Sequence, residues 1–389
     1  MNRAAAGWTV AAGLAVFGLV AAACAPRHEL GGPLDGLKPD ELERFDAGRT
    51  VFERAFAPET GLGPLFNADS CAECHEDPVA GGVGDEVEVH VAAFDPATGA
   101  CDPLAGRGGP VIQQMVTPAL KAALGIDSEP IPAAASARAH RSTPAILGFG
   151  LIDAVPDTAI EALADPDDRD GDGISGRPNH FFDGRIGRFG RKALVPTLRE
   201  FSAGAFVIEQ GITNPDAPTE ETIGGDPIPA GVDPVAEPEL TAESLSRADD
   251  FVRFLAPPDR QPLSHEAKAG RAIFESMQCQ RCHVPFLTTG DSPVKALRYR
   301  KVYAYTDLLL HDMGPALADI CLGDASPSEF RTAPLMGIRL ATTFLHDGRA
   351  TTLEEAIRLH DGEASRSRAR FAALTAEQRQ SLLAFLRSL

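Results

Sequence analysis

Four cysteines and two histidines fall into two matching pentapeptides. Cys71-Ala72-Glu73-Cys74-His75 and Cys279-Gln280-Arg281-Cys282-His283 both read C-x-x-C-H. That spacing suits one chemistry closely. Two thiols add to the two vinyl groups of a porphyrin, and the adjacent His becomes the proximal ligand of its iron. A redox dithiol needs a βαβ setting that this sequence lacks. Half a zinc site does not explain an adjacent His twice. The motifs therefore predict two covalently bound c-type haems, on Cys71, Cys74 and His75 and on Cys279, Cys282 and His283.

The segments that position these motifs repeat. Gly48-x-x-x-Phe52 precedes the first and Gly270-x-x-x-Phe274 the second. Arg141-Ser142-Thr143-Pro144 follows the first and Arg331-Thr332-Ala333-Pro334 the second. Leu240-Thr241-Ala242-Glu243 and Leu374-Thr375-Ala376-Glu377 each open a helix ending in Phe-Leu. Thr375 and Gln378 make a capping box, whereas Thr241 with Ser244 makes half of one. The repeat implies two cytochrome c-like units, 45–258 and 263–389, joined across Pro257-Pro258 and Pro262. The expected fold class is mainly α, with long loop insertions in the first unit. Much of that insertion, as in Asn214–Pro238, is rich in Pro, Gly and Asp and reads as loop.

The chain has 389 residues, 44% of them hydrophobic, and a formal charge of −19. It can build a globular core, and its acidity excludes nucleic acid as a partner. Residues 1–23 read as a secretory signal, with Arg3 followed by an apolar run from Val10 to Ala23. Residues 24–44 form an N-terminal tether. Val20–Cys24 resembles a lipobox, in which Cys24 is lipidated and anchors the chain to a membrane. Ala21 departs from the usual Leu of that pattern, and Ala21-x-Ala23 also satisfies ordinary signal-peptidase cleavage. Either way the mature chain is extracytoplasmic, in the periplasm or on the outer face of the cell envelope. That compartment permits a disulfide between the remaining pair, Cys101 and Cys321. Two unrelated buried thiols are the alternative.

The sixth iron positions separate electron transfer from catalysis. His360 ends a short helix from Leu353, capped by Thr352 and Glu355, just before Asp361-Gly362. It is the leading distal ligand for the second haem, with Met313 as the rival. His140 is a weaker candidate at the first haem, and this shortage favours an open site there. Asp168, Asp170 and Asp172, alternating with Arg169 and Gly171, offer hard oxygen ligands that suit Ca2+. The distal Glu of an EF-hand loop is missing, since Asn179 stands there. A solvated acidic turn is the alternative.

The chain resembles the di-haem oxidoreductases once labelled thiol oxidoreductases, distant relatives of bacterial di-haem cytochrome c peroxidases and MauG-like enzymes. The matching stretches are Phe66-Asn67, Arg141–Asp157, Asp170–Pro178, Gly187–Ala193, Cys279–Pro285, Tyr305–Gly314, Arg331–Gly337 and Phe344–Ala356. They span nearly the whole mature chain. In those relatives a Met or a Tyr stands near the position of His360, so the resemblance implies a bis-His second haem of lowered potential. It also implies a calcium between the haems. The Trp relay often found there has no counterpart, since the only Trp, Trp8, lies in the signal. An aromatic bridge would have to be Phe or Tyr299, Tyr303 or Tyr305. Members often carry Glu where this chain has Asp153, which makes Asp153 a candidate acid/base for peroxide O–O cleavage. The alternative is a polar residue capping the next turn. The thiol label gains no support, since haem consumes all four motif thiols.

Three readings compete. One is a peroxidase-like enzyme in which the second haem passes electrons to an open first haem that reduces hydrogen peroxide or another small oxidant. A small cytochrome or cupredoxin would be the donor. The second is a di-haem electron carrier without catalysis. The third is an accessory lipoprotein that uses its haems structurally or as a sensor.

Overall fold

The computed structural model describes residues 29–389. The signal and Cys24 lie outside the described residues. Among those described, no helix is long and apolar enough to cross a membrane.

Two helix pairs carry the architecture. Helix α1 (Pro39–Phe52) leads into the first C-x-x-C-H, and α2 (Leu198–Gln210) and α3 (Ala242–Phe254) follow it. Helix α4 (His265–Ser276) leads into the second motif, followed by α5 (Leu353–Leu359) and α6 (Ala376–Leu386). α1 packs on α3, and α4 packs on α6 in the same way. The caps that the sequence announced are formed. Thr241 accepts from Ser244 N at 3.1 Å, and Thr375 and Gln378 close a full capping box. Thr352 accepts from Glu355 N, but the Glu355 carboxylate reaches Thr351 N instead of closing a box on Thr352.

The repeated Gly-x-x-x-Phe explains itself here. Gly48 lies against the backbone of α3, and a Cβ there would overlap the Arg247 carbonyl oxygen. Gly270 lies likewise against the Ser381 carbonyl of α6. Glycine lets the two backbones approach. One turn later the Phe packs beside the motif histidine, with ring centroids 6.3 Å apart for Phe52 and His75 and 6.5 Å for Phe274 and His283. Phe52 also meets Phe251 at 4.8 Å, and Phe274 meets Phe385 at 5.3 Å. Gly270→Ala should therefore destabilise the protein by about 1–3 kcal/mol or more, because the obstacle is helix backbone and cannot rotate away. The check is the melting temperature beside Ala269→Gly, a helix change without the clash.

The first insertion departs from the expected loop. A four-stranded antiparallel sheet is built from β1 (Val87–Asp95), β2 (Ala100–Asp102), β3 (Val111–Ile112) and β4 (Ala137–Ser142), all paired to β1. The fold is therefore mixed rather than mainly α. The reason is the alternating, Val-rich run Val87-Glu88-Val89-His90-Val91, which suits a strand. The second half adds a short pair, β5 (Leu310–Asp312) with β6 (Glu329–Arg331).

Cys101 on β2 is joined to Cys321 by a disulfide, with Cα atoms 5.9 Å apart and a sequence separation of 220. It ties the sheet of the first half to a loop of the second. Chain-entropy arguments give closure of so long a loop about 5 kcal/mol, and native disulfides usually deliver about 2–5. Cys321→Ser should lower stability by about that amount. Reductant should do the same to the unaltered protein while exposing two alkylatable thiols.

Candidate functional site

The second motif is a 3-10 turn, Cys279–Arg281, and His283 N donates to Cys279 O at 2.9 Å. The Nδ1 of His283 lies 3.0 Å from the Tyr305 carbonyl oxygen. A proton on Nδ1 is thereby held by the backbone, which leaves Nε2 free for a metal. His360 is the C-cap of α5, and its Nδ1 sits 2.7 Å from the Ala356 carbonyl. It has the same commitment and the same free Nε2. Burial, and then the neighbouring His360, push His283 down to about 4. The two imidazoles are thus neutral neighbours, as ligands must be.

Both line a cavity of about 310 Å3, together with Cys279, Cys282, Met313 and Phe274. The rest of its wall is largely apolar, including Leu335, Ile338 and Leu386. A largely apolar cavity lined by the two motif thiols and two imidazoles suits a haem, so these residues fit the group. The structure brings His360 and its rival Met313 to the same cavity.

The first motif is a helical turn, Cys71–Cys74, capped by Ser70, whose Oγ accepts from Glu73 N at 3.1 Å. The Nδ1 of His75 lies 3.3 Å from the Gly82 carbonyl. Gly84 lets the following loop fold over the motif, since a Cβ there would overlap the Cys74 carbonyl. Burial pushes the Cys71 thiol up to about 11 and Cys279 to about 12. Activated redox thiols have depressed values. All four motif thiols are unbridged and all four are pushed up by burial, which counts against a redox dithiol.

Two carboxyls that the sequence did not single out stand beside the first motif. Glu209, near the end of α2, accepts from Asn67 Nδ2 at 3.0 Å. Burial, and then Glu88, hold its carboxyl well above the usual range. Burial also acts to raise Glu88, but His90, then Arg141 and His75, more than offset it and hold its carboxyl below the usual range. The Glu88 carboxylate lies 2.7 Å from His90 Nε2. Glu209, Glu86 and Glu88 all act on the Cys74 thiol, which places them around this motif. The two carboxyls are pushed in opposite directions, Glu209 up and Glu88 down, the arrangement that acid–base chemistry uses.

Asp153 has another task. Its Oδ1 accepts from Leu198 N at 2.7 Å, at the start of α2, and its Oδ2 pairs with Arg253. Both oxygens are engaged in holding structure, though the backbone N–H that Asp153 binds belongs to α2, 45 residues on, rather than to the next turn. It reaches the site only through α2, whose far end carries Glu209 and also Gln210, with Nε2 3.3 Å from Cys71 Sγ. His140 is corrected likewise. Neighbouring strand residues point to opposite faces, so Arg141 is buried and His140 is exposed to solvent.

Carboxylate oxygens of Asp168, Asp170 and Asp172 come within 4.8 Å of one another. Arg281, inside the second motif, reaches Asp170 at 3.4 Å and Asp172 at 3.1 Å. The acidic loop is thereby tied to that motif, and a guanidinium supplies part of its counter-charge.

Residues 134–389 match the family model described as "Di-haem oxidoreductase, putative peroxidase". The chain belongs to the di-haem oxidoreductase family. Among solved structures, this family member is similar to the diheme peroxidase BthA from Burkholderia thailandensis, with 17% identity over 91% of this chain and 86% of that one and a TM-score of 0.43. A MauG-like protein associated with microbial copper homeostasis matches at 18% identity over 94% and 91%, with a TM-score of 0.41. Hydrazine synthase of Kuenenia stuttgartiensis matches at 14% over 97% and 100%, with a TM-score of 0.44. No curated protein matches the chain.

Proposed function

We propose that this di-haem oxidoreductase is an exported, peroxidase-like enzyme that takes electrons in at the His283 site and reduces hydrogen peroxide or another small oxidant at the His75 site. The observation that carries this reading is the asymmetry of the two sites. The second brings His360 into the cavity that His283 lines, and the two imidazoles would make a closed ligand pair suited to electron transfer. The first sets beside its motif two carboxyls pushed in opposite directions, Glu209 up and Glu88 down. Covalently attached haems would supply one-electron redox chemistry at both sites and an iron to bind the oxidant at the first.

The overall reaction, H2O2 + 2 e− + 2 H+ → 2 H2O, needs two protons delivered at the first site. The Glu88 carboxylate can take the proton of the incoming peroxide. The Glu209 carboxyl can protonate the departing oxygen. His90 holds Glu88 in place, and Asn67 holds Glu209. A small cytochrome or cupredoxin would supply the electrons singly. Ca2+ at Asp168, Asp170 and Asp172 would stiffen the loop that meets Arg281. The chain would work in the periplasm or on the outer face of the cell envelope, held by a lipid on Cys24.

One observation favours the electron carrier as a second reading. His90 Nδ1 is buried and without a partner near the first site. An imidazole taking the sixth position there would close it. Stopped-flow mixing of the fully reduced two-haem protein with hydrogen peroxide separates the two. Fast saturable reoxidation supports the enzyme. Slow reaction with both haems low-spin supports the carrier.

A further inference from the structure

Arg141 and Arg331 hold equivalent places in the internal repeat, each opening an Arg-x-x-Pro segment. Both are buried, at 5% and 8% exposure. Their surroundings differ. Arg141 is matched by Asp319, with Nε at 3.2 Å and Nη2 at 2.9 Å from Oδ2. The same carboxylate takes the fully buried Lys192 at 2.8 Å. Arg331 gives Nη1 to the Arg188 carbonyl at 2.7 Å, and its Nε has no partner.

Arg191 stands next to it. The Arg331 backbone N–H donates to the Arg191 carbonyl at 2.9 Å. The Arg191 Nη2 donates to the Ser142 carbonyl at 2.8 Å and to the Ser142 hydroxyl at 3.4 Å. Glu88, Asp319 and Asp347 act on it only at longer range. The ion pairs of this region join Arg141 and Lys192 to Asp319, and Arg188 to Asp157. Neither Arg191 nor Arg331 takes part in them. Among the described residues, Arg141 and Lys192 thus share one buried carboxylate, while Arg191 and Arg331 beside them have no ion-pair partner, in a chain whose formal charge is −19. Interior charges without a counter-charge are costly, and one absent partner makes them so. Both arginines line the cavity that holds Cys279, Cys282, His283 and His360.

We propose that Arg191 and Arg331 form a carboxylate-binding pair whose occupant is a propionate of the haem at the second site. The inference rests on the di-haem reading above. A haem carries two propionates on its rim, and a carboxylate entering this cavity needs a donor with fixed planar geometry. Guanidinium groups supply that. The pair also explains the unequal repeat. For Arg141 the protein provides the carboxylate, Asp319 of the second unit, and for Arg331 the cofactor provides it. A free small carboxylate has the same chemistry and is the competing source.

The test uses the purified two-haem protein. Haem content is measured first by pyridine haemochrome, and a value below two per chain would fail the di-haem reading rather than this pair. Midpoint potentials of both haems are then compared in the unaltered protein, Arg331→Met, Arg331→Lys and Arg191→Met. Loss of a cation beside a propionate favours the oxidised haem. Each Met variant should weaken reduction of one haem about tenfold, which is about 59 mV for one electron. Arg331→Lys should restore most of it. Unchanged potentials in both Met variants would overturn the proposal. Potentials that follow added acetate in the unaltered protein, but not in the Met variants, would assign the pair to a free carboxylate and also overturn it. Should Arg331→Met fail to fold, the propionate bending band in resonance Raman spectra of the unaltered protein and Arg331→Lys decides. A shifted band supports the contact and an identical band removes it.

Discussion

Glu209→Gln should reduce the rate at which peroxide reoxidises the reduced protein by about 10²–10⁴-fold, the usual worth of a positioned acid or base. The amide keeps the size of the side chain and can still bond to Asn67. What it loses is the transferable proton. Haem content, low-spin spectrum and melting temperature should stay close to those of the unaltered protein. The pH profile adds a sign. Burial, and then Glu88, raise the Glu209 carboxyl well above its ordinary value. It works as an acid while protonated, so activity should persist above the ordinary carboxyl range and fall as pH rises through that raised value. In Glu209→Gln this alkaline limb should vanish along with most of the rate. A full rate in the variant would remove Glu209 from the chemistry. A full rate in Glu88→Gln as well would leave the carboxyl pair without a catalytic role.

Asp153→Asn makes a useful contrast. Asp153 touches α2 at its first residue and the ion-pair partner Arg253. Its loss should cost stability as a weakened cap, about 0.5–2 kcal/mol. Any effect on rate should follow only from displacement of α2, so the alkaline limb should keep its position. The same measurement thus separates a group that delivers a proton from one that holds the helix delivering it.

What could be read from the sequence was the chemistry that is local in the chain. C-x-x-C-H places thiols and imidazole within one turn, so five residues suffice. Gly-x-x-x-Phe and the Thr caps are local as well, and the helices they announce are present. Cys101 and Cys321 could be paired only by elimination, because nothing in spacing shows a contact across 220 residues. Glu88 and Glu209 were missed for a related reason. One lies on a strand inside the insertion and the other near the end of a helix, and only the fold brings them to the same motif. A signal for Glu88 did exist. Val87-Glu88-Val89-His90-Val91 alternates as a strand does, and two polar residues two apart share a face. Reading the insertion as loop hid it. That strand reading would also have argued against His140, because a buried Arg141 turns its neighbour to solvent. The unmatched arginines are less legible still. Arg191 and Arg331 are unusual only because of what does not surround them, which no pattern of residue types displays.

His360→Met should raise the midpoint potential of one haem by an amount on the order of 100 mV, since axial ligand identity moves haem potentials over about 0.8 V. Thioether in place of imidazole favours the reduced iron. The geometry explains why His360 should be the residue that responds. Its Nδ1 is fixed to Ala356 O, it closes a capped helix, and after burial it is the first of the neighbours that depress His283. Met313 lines the same cavity but stands in a loop after β5, with only its backbone N–H bonded, to Ser328 O at 2.9 Å. Met313→Leu should therefore leave both potentials and the low-spin spectrum unchanged. The reverse pattern, a response from Met313→Leu and none from His360→Met, would transfer the ligand role to Met313. The consequence for turnover follows from the direction of flow. Electrons held at a higher potential on the second haem have less drive toward the first, with each 59 mV worth a factor of ten in the equilibrium. His360→Met should then slow peroxide turnover with the donor while sparing the first contact of peroxide with a fully reduced protein. Glu209→Gln should do the opposite, and the two sites would be told apart by which half of the cycle each variant breaks.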